Sequence, residues 1–281
     1  MAPAQFRALS LLLIFVRTTV IANRRTMWVG AEDGQGDSKL FLKNDVEEKL
    51  TRFAGIIWAA NDRVNLVSRK SNNVPEDIRN QHIQDCLPLV STMKNIFGSL
   101  VKHDSKMELS PLKVLDVGSG GGFPALILAI SNPDWKVTML EATGKKCDFL
   151  RSTSLTLDLD TRIECARAED MARKVGWRES FPAVTARAVA DLRILAELCL
   201  PFVSVGGYMF AMKGPLSAAQ VEIDSAEKAL RLLGGEVEQV VEVASDKATT
   251  LGTRSIVVIR KVSATPMKYP RSVGRPNKRP L

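Results

Sequence analysis

Histidine is almost missing from this chain, with His82 and His103 the two examples in 281 residues. That scarcity argues against metal chemistry built on paired imidazoles. Cysteine is sparse as well. Cys86, Cys147, Cys165 and Cys199 lie far apart with no Cys-x-x-Cys spacing. The spacing predicts neither a zinc site nor a disulfide framework, and it fits a reducing compartment. No apolar run approaches the ~18 residues that cross a bilayer, the longest being Ala8–Val16, so a spanning helix is excluded. Compositional bias is absent too: 45% hydrophobic and 25% charged residues are the balance of an ordinary globular chain, which excludes a disordered tract. The length allows one or two domains, and no internal repeat is visible.

Acidic residues are missing at both ends. After Asp246 the chain has none, yet it carries Lys247, Arg254, Arg260, Lys261, Lys268, Arg271, Arg275, Lys278 and Arg279. With a net charge of +8, this one-sided excess favours an anionic partner such as RNA. The last stretch, Lys268–Arg279, alternates with prolines and glycine and is expected to track an RNA backbone in extended form. At the other end, Met1–Ala31 holds Arg7, Arg17, Arg24 and Arg25, several hydroxyl residues and no acid, which is the composition of an organelle transit peptide. Two readings compete for those residues. One is a secretory signal peptide ending near Val20-Ile21-Ala22, which sits badly with four unpaired cysteines, and the other is an untargeted extension.

The segment divides the chain into a leader (1–40), a helical part (41–105), a sheet domain (106–262) and the basic tail (263–281). The polar stretch Glu32–Lys39 links leader to fold, and Val46, Leu50, Phe53 and Ile57 recur at helical spacing after Asn44. A second helix should open at Pro75, after Asn73, and carry Ile78, His82 and Cys86 on one face. From Lys113 the pattern changes. Short apolar runs at 113–117, 136–141, 162–166, 183–186 and 207–213 alternate with helical stretches at 123–130, 144–157, 168–175 and 191–200. That alternation predicts a doubly wound α/β sheet. A longer helix at 216–233 then leads to extended runs 236–243 and 254–261, joined around Ser245–Gly252, which predict an antiparallel finish.

The first of these strands opens into Asp116-Val117-Gly118-Ser119-Gly120-Gly121-Gly122-Phe123. Glycines there let the backbone turn tightly and a ligand approach closely. In a nicotinamide-dinucleotide fingerprint the third glycine falls at 123, which is Phe123 here, so a dehydrogenase is the weakest reading. Asp116 at a strand end suits a cationic ammonium group, which S-adenosylmethionine offers. Glu141 closes the next strand, where doubly wound folds place the acid that binds ribose hydroxyls. Base-amino methylation calls for an Asn/Asp-Pro-Pro-aromatic segment, and the chain has Thr185-Ala186-Arg187-Ala188 instead. Pyrimidine C5 chemistry calls for a cysteine after Pro or Thr, and there is none. A ring nitrogen with a free lone pair, such as guanine N7, needs neither device, only positioning.

Asn65-Leu66, His82-Ile83-x-Asp85, the loop Leu115–Pro124, Arg167-Ala168-Glu169, Arg187-Ala188-Val189-Ala190, Met212-Lys213-Gly214 and the closing Tyr269-Pro270-Arg271…Pro276-x-Lys278-Arg279-Pro280 resemble the bacterial GidB (RsmG) family. From Val46 onward the resemblance implies a class I S-adenosylmethionine-dependent methyltransferase, with a Rossmann-like seven-stranded sheet. The activity it implies is methylation of guanine N7 in small-subunit ribosomal RNA, free or in the small ribosomal subunit. It also implies a monomer with no membrane partner. Carried over by position, cofactor contacts fall on Gly118, Phe123, Ala168, Glu169 and Arg187, beside the Asp116, Gly120, Gly122 and Glu141 of the glycine loop. Arg167, Arg187 and Lys213 match basic positions important to activity. Arg187 has a rival reading as the partner of a helix acid, and Lys213 is expected on a phosphate. Two departures stand out: Glu141 replaces a commoner Asp, and Gly121 a commoner Ala or Pro. His82, Trp135 and Trp177 read as packing residues. The leader has no bacterial counterpart, which points to an organelle, a plastid ahead of a mitochondrion, or to the cytoplasm if it is no transit peptide. A small-molecule methyltransferase, or an assembly factor that keeps the fold without turnover, are the rival functions.

Overall fold

The computed structural model describes residues 16–22, 25–29, 44–68, 74–103, 111–187, 190–243 and 253–281. The linker 32–39, Asn73, the pair Ala188-Val189 and the turn 245–252 lie outside them. Strands β1 (Val16–Ala22) and β2 (Arg25–Val29) come first, followed by α1 (Asn44–Val64) and the single turn α2 (Pro75–Ile78). The helix then loosens into a π turn, Arg79–Ile83, and continues as α3 (Gln84–His103).

The alternating part begins with β3 (Lys113–Val117), α4 (Ala125–Ser131), β4 (Lys136–Glu141), α5 (Gly144–Thr156) and β5 (Thr161–Cys165). It continues through α6 (Ala168–Met171), β6 (Phe181–Arg187), α7 (Leu192–Cys199) and β7 (Val203–Lys213). The chain closes with α8 (Leu216–Leu233), β8 (Gly235–Val243), β9 (Arg254–Lys261) and a short α9 (Arg275–Lys278).

One sheet runs β2-β1-β8-β9-β7-β6-β3-β4-β5. The strands from β7 to β5 are parallel, and β9 and β8 return antiparallel. These are the seven strands expected from the sequence. The leader adds two more at the β8 edge, where β1 pairs antiparallel with β8 and with β2. Central strands are covered on both faces, which is why they read as unbroken apolar runs: Val114 and Leu115 are both fully buried although they point to opposite sides. Helices α1, α3 and α4 share one hydrophobic core with one face of the sheet. Helices α7 and α8 share a second core with the other face.

Strand order reverses between β3 and β6. Chain connections there diverge to the two sides, opening a crevice at the carboxyl ends of the strands, where ligands of doubly wound sheets bind.

The tail departs from the expected extended form. It packs on the second core, with Tyr269 and Pro276 buried. Arg271 forks onto the fully buried carboxylate of Glu197, its Nε 2.8 Å from Oε1. Arg178 donates to the carbonyls of Tyr269 at 3.0 Å and Thr265 at 2.6 Å, and Lys261, fully buried, donates to Leu200 and Leu233 carbonyls. Burial lowers the Lys261 pKa to about 8. A proline-and-glycine composition permits extension but also suits a strap whose backbone carbonyls are captured by arginines, and the latter occurs here.

The cysteines also depart from expectation. Cys147 and Cys165 form a disulfide, with Cα atoms 5.9 Å apart. Cys165 lies opposite Glu141 in the β4–β5 register and Cys147 sits in the first turns of α5, so the topology brings together two thiols that the sequence spaces 18 apart. Cys86 and Cys199 remain free and buried.

Candidate functional site

The crevice is lined first by the glycine loop. Leaving β3, Gly118 and Ser119 donate backbone N–H groups to the Leu140 carbonyl at 2.8 and 3.3 Å, and Gly122 donates to Ser119 at 2.7 Å. Gly118 has φ +76° and Gly122 φ +90°, a region L side chains rarely adopt. A Cβ on Gly122 would meet Leu126 at 2.4 Å. At Gly121 the crowding is milder, a Cβ there coming within 3.3 Å of Leu66, just beyond α1.

Glu141 is wrapped by this loop. Its Oε2 accepts from Gly120 N at 2.9 Å, and its Oε1 accepts from Ala142 N and Thr143 N at 2.9 and 2.8 Å. The longer side chain thus fits by folding back onto backbone donors. Asp116, buried at the β3 end, accepts from the Thr185 hydroxyl of β6 at 2.7 Å through Oδ1, bridging the switch point. Its Oδ2 is buried and has no partner among the described residues. Burial pushes the Asp116 pKa up to about 7. A solitary carboxyl oxygen in this position is matched by a ligand that brings a cation. The residues therefore fit the amino-acid end of S-adenosylmethionine at Asp116 and its ribose at Glu141.

Phe123 ends the loop, packed against Phe53 and His82 with ring centroids 5.2 and 5.4 Å away. Ala168 and Glu169 open α6 beside β4, joined to it by the Ala166 N–H on the Glu141 carbonyl. The Glu169 carboxylate is buried and accepts from Gly274 N of the tail at 3.0 Å, so it holds the tail in place. Arg167 caps α6 on the surface, exposed and without a side-chain partner among the described residues.

The second part of the site lies across the ends of β6, β7 and β9. Arg187 leaves β6 and points into the π turn. Its Nη1 donates to the His82 carbonyl at 3.2 Å and its Nη2 lies 3.0 Å from His82 Nδ1 and 3.1 Å from Asp85 Oδ2. The guanidinium also sits 5.4 Å over the Phe123 ring. Of the two readings of Arg187, the helix-acid pair is what the structure shows. Asp85 also accepts from Arg254 Nε at 3.3 Å, so one buried acid holds two arginines. His82 is kept neutral: burial, then Arg187 and Arg254, lower its pKa to about 4. Burial pushes the Cys86 thiol up to about 12.

Lys213 does not reach outward to a phosphate. Its Nζ is buried between the Ala190 carbonyl and Glu222 Oε2, both at 2.6 Å. Together with Arg187, Arg254, Asp85 and Asp191 these groups line a cavity of about 510 Å³, which meets the glycine loop through Arg187 over Phe123. The structure thus gathers Asp116, Gly118, Gly120, Gly122 and Glu141 into one cradle, and places Arg187 and Lys213 in the neighbouring pocket. Thr185, Glu222 and Arg254 belong to the site and escaped sequence reasoning. Thr185 had a local signal, a hydroxyl at the end of the strand beside β3. Glu222 and Arg254 had none. Among the described residues no cluster could hold a metal ion.

Strand order, antiparallel finish and cradle define an α/β protein of the class I methyltransferase type. A fold likeness of this kind extends to the branched-chain polyamine synthase of Thermus thermophilus, at TM-score 0.50 and 12% identity over 77% of this chain and 65% of that one. Within that class the sequence is more specific. Residues 46–251 match the GidB family model, rRNA small subunit methyltransferase G. The ribosomal RNA small subunit methyltransferase G of Clostridium kluyveri is 34% identical over 87% of this chain and 94% of its own length. Its namesake in Chloroflexus aggregans is 38% identical over 80% and 85%. The chain belongs to the GidB family.

Proposed function

We propose that this protein transfers a methyl group from S-adenosylmethionine to guanine N7 of small-subunit ribosomal RNA. The observation that carries the reading is the unpartnered, buried Oδ2 of Asp116 at the switch point, beside Glu141, in a GidB-family chain. The donor supplies an activated methyl carbon, and N7 supplies its own lone pair. The chain therefore needs no general base, and its task is alignment. Asp116 binds the cationic amino-acid end, the glycine loop lets that end approach, and Glu141 accepts ribose hydroxyls. Backbone at Ala168 and Glu169 borders the base of the donor, since the Glu169 side chain is spent on Gly274. Arg187, fixed by Asp85 and His82 and stacked over Phe123, forms the wall between donor cradle and pocket and serves alignment. The buried, raised thiols of Cys86 and Cys199 are unsuited to the nucleophilic route.

RNA phosphates fall to the exposed bases Arg167, Arg275, Lys278 and Arg279. The tail packs on α7, and its Gly274 is tied to α6, so these bases stand on the carboxyl edge near the cradle. The arginine-rich, acid-free leader supports import into a plastid, and a monomer suffices because one chain supplies every group named. Among the described residues no helix is long and apolar enough to cross a membrane.

The test is incubation with labelled S-adenosylmethionine and small-subunit RNA or subunits, with m7G mapped by borohydride–aniline cleavage. Label at N7 is expected, and Gly118→Asp, which puts a carboxylate into a left-handed turn against the donor, should abolish it. Label on another base atom, or none with any ribosomal substrate, overturns the reading.

A further inference from the structure

The pocket beside the cradle has an electrostatic character that a phosphate site would not have. Among the described residues its six ionisable lining groups are three cations, Arg187, Lys213 and Arg254, and three carboxylates, Asp85, Asp191 and Glu222. A phosphate calls for surplus positive charge, whereas a neutral base calls for a pattern of donors and acceptors. At about 510 Å³ the cavity is of small-ligand size.

Most of its hydrogen-bonding capacity is already used. Both Asp85 oxygens hold arginines, and Asp191 holds Arg193 while capping α7. One acceptor is left over. Glu222 Oε2 takes Lys213 Nζ at 2.6 Å and Leu192 N at 2.8 Å, but Oε1 has no partner among the described residues. Lys213 Nζ in turn has three hydrogens and spends two, on Ala190 and Glu222. The unspent groups are thus one donor on Lys213 Nζ and one acceptor, Glu222 Oε1. Guanine carries the complement on its pairing edge, an acceptor at O6 and a donor at the N2 amino group.

We infer that Glu222, set by Lys213, reads the Watson–Crick edge of the target guanine: Oε1 accepts from the N2 amino group, and the ammonium donates to O6. The inference rests on the guanine-N7 reading and deepens it. Holding the base by that edge leaves N7 unengaged and available for methylation. An arginine bidentate on O6 and N7 would instead block the reacting atom. Adenine is excluded by the same pair, because its amino group would face the ammonium and it has no N2 amino group for Oε1 to accept from. Lys213 and Glu222 are specificity residues in this assignment, and the Leu192 N–H keeps the carboxylate in register.

The experiment compares RNA substrates that carry guanosine or inosine at the methylated position, inosine lacking the N2 amino group. Wild type is expected to prefer guanosine by about tenfold or more in kcat/KM. Glu222→Gln should bring that preference to within about twofold of unity, with S-adenosylmethionine affinity by calorimetry unchanged. Arg254→Gln should retain the preference. A wild type indifferent to the N2 amino group overturns the inference without any variant. So does an undiminished preference in Glu222→Gln. A flattened salt dependence in Arg254→Gln, combined with that indifference, assigns the pocket to phosphate instead. Absence of N7 methylation in wild type is the separate failure of the function itself.

Discussion

Acids near the carboxyl edge of the sheet are held in two ways. In the glycine-loop region, Asp116, Glu141 and Glu169 are buried and bonded to a hydroxyl or to backbone N–H groups, with no ion pair to a cationic side chain among the described residues. Where α3, α7 and α8 meet the sheet and tail, Asp85, Glu197 and Glu222 are each paired with arginine or lysine. The contrast separates two jobs. A carboxylate paired with a cation is neutralised and serves to aim that cation. One without a cation is left open to a ligand, and the Asp116 pKa is pushed up by burial to about 7.

The comparison can be broken most severely at the tail. Arg271→Ala strips buried Glu197 of its paired cation and leaves it the backbone N–H of residue 271, which should cost about 3–5 kcal/mol of stability. Thermal unfolding of wild type and variant checks this, and a shift no larger than that of a surface substitution refutes the pairing argument. In the cradle the effect should appear in binding rather than stability. Asp116→Ala is expected to weaken S-adenosylmethionine by about 10–100-fold by calorimetry while the melting temperature holds or rises.

The pKa of Asp116 sharpens the same contrast. Its folded value near 7 is raised from 3.8. Its favourable contribution to the ligand-free fold is therefore present below about pH 3.8 and lost as pH climbs through 7. Donor binding has the opposite dependence. Affinity should fall as pH drops below about 7, because the site must then release a proton before it meets a cation. Calorimetry in buffers of different ionisation enthalpy reads that proton directly, and a flat profile between pH 6 and 8 would refute it.

Smaller still is the effect of neutralising Arg275, Lys278 and Arg279 together. RNA affinity should weaken and its logarithmic salt slope should lessen by about 2, with donor affinity unchanged. Smallest is deletion of residues 1–40. The strands β1 and β2 join at β8, at the far side of the sheet from β3 and β4, so donor affinity should not move.

Much of the architecture is legible in the sequence because its causes are local. The strands β3, β4 and β9 and the helix α8 have the bounds that apolar runs and a Pro-to-Gly frame imply. The cradle is legible too, since Asp116, the glycines and Glu141 lie at consecutive strand ends. What escaped is everything set by packing across layers. Arg187 meets His82 from 105 residues away, and Arg271 meets Glu197 from 74. No periodicity encodes which helix acid a strand-end arginine will find. The tail illustrates this most clearly: its composition is compatible with a loose basic arm, and its fate depends on whether Glu197, Glu169 and Arg178 face it.

That docking has a kinetic meaning. An untethered basic arm searches widely and must surrender its freedom each time it grips a polyanion. Here the ordering is completed during folding, so on the proposed reading Arg275, Lys278 and Arg279 would meet RNA as a preset comb at a fixed distance from the cradle. A comb of that kind would work as a ruler: under the proposed function, whatever helix or loop of the ribosomal RNA it seated, reach along the strand would help to choose the nucleotide delivered to the crevice.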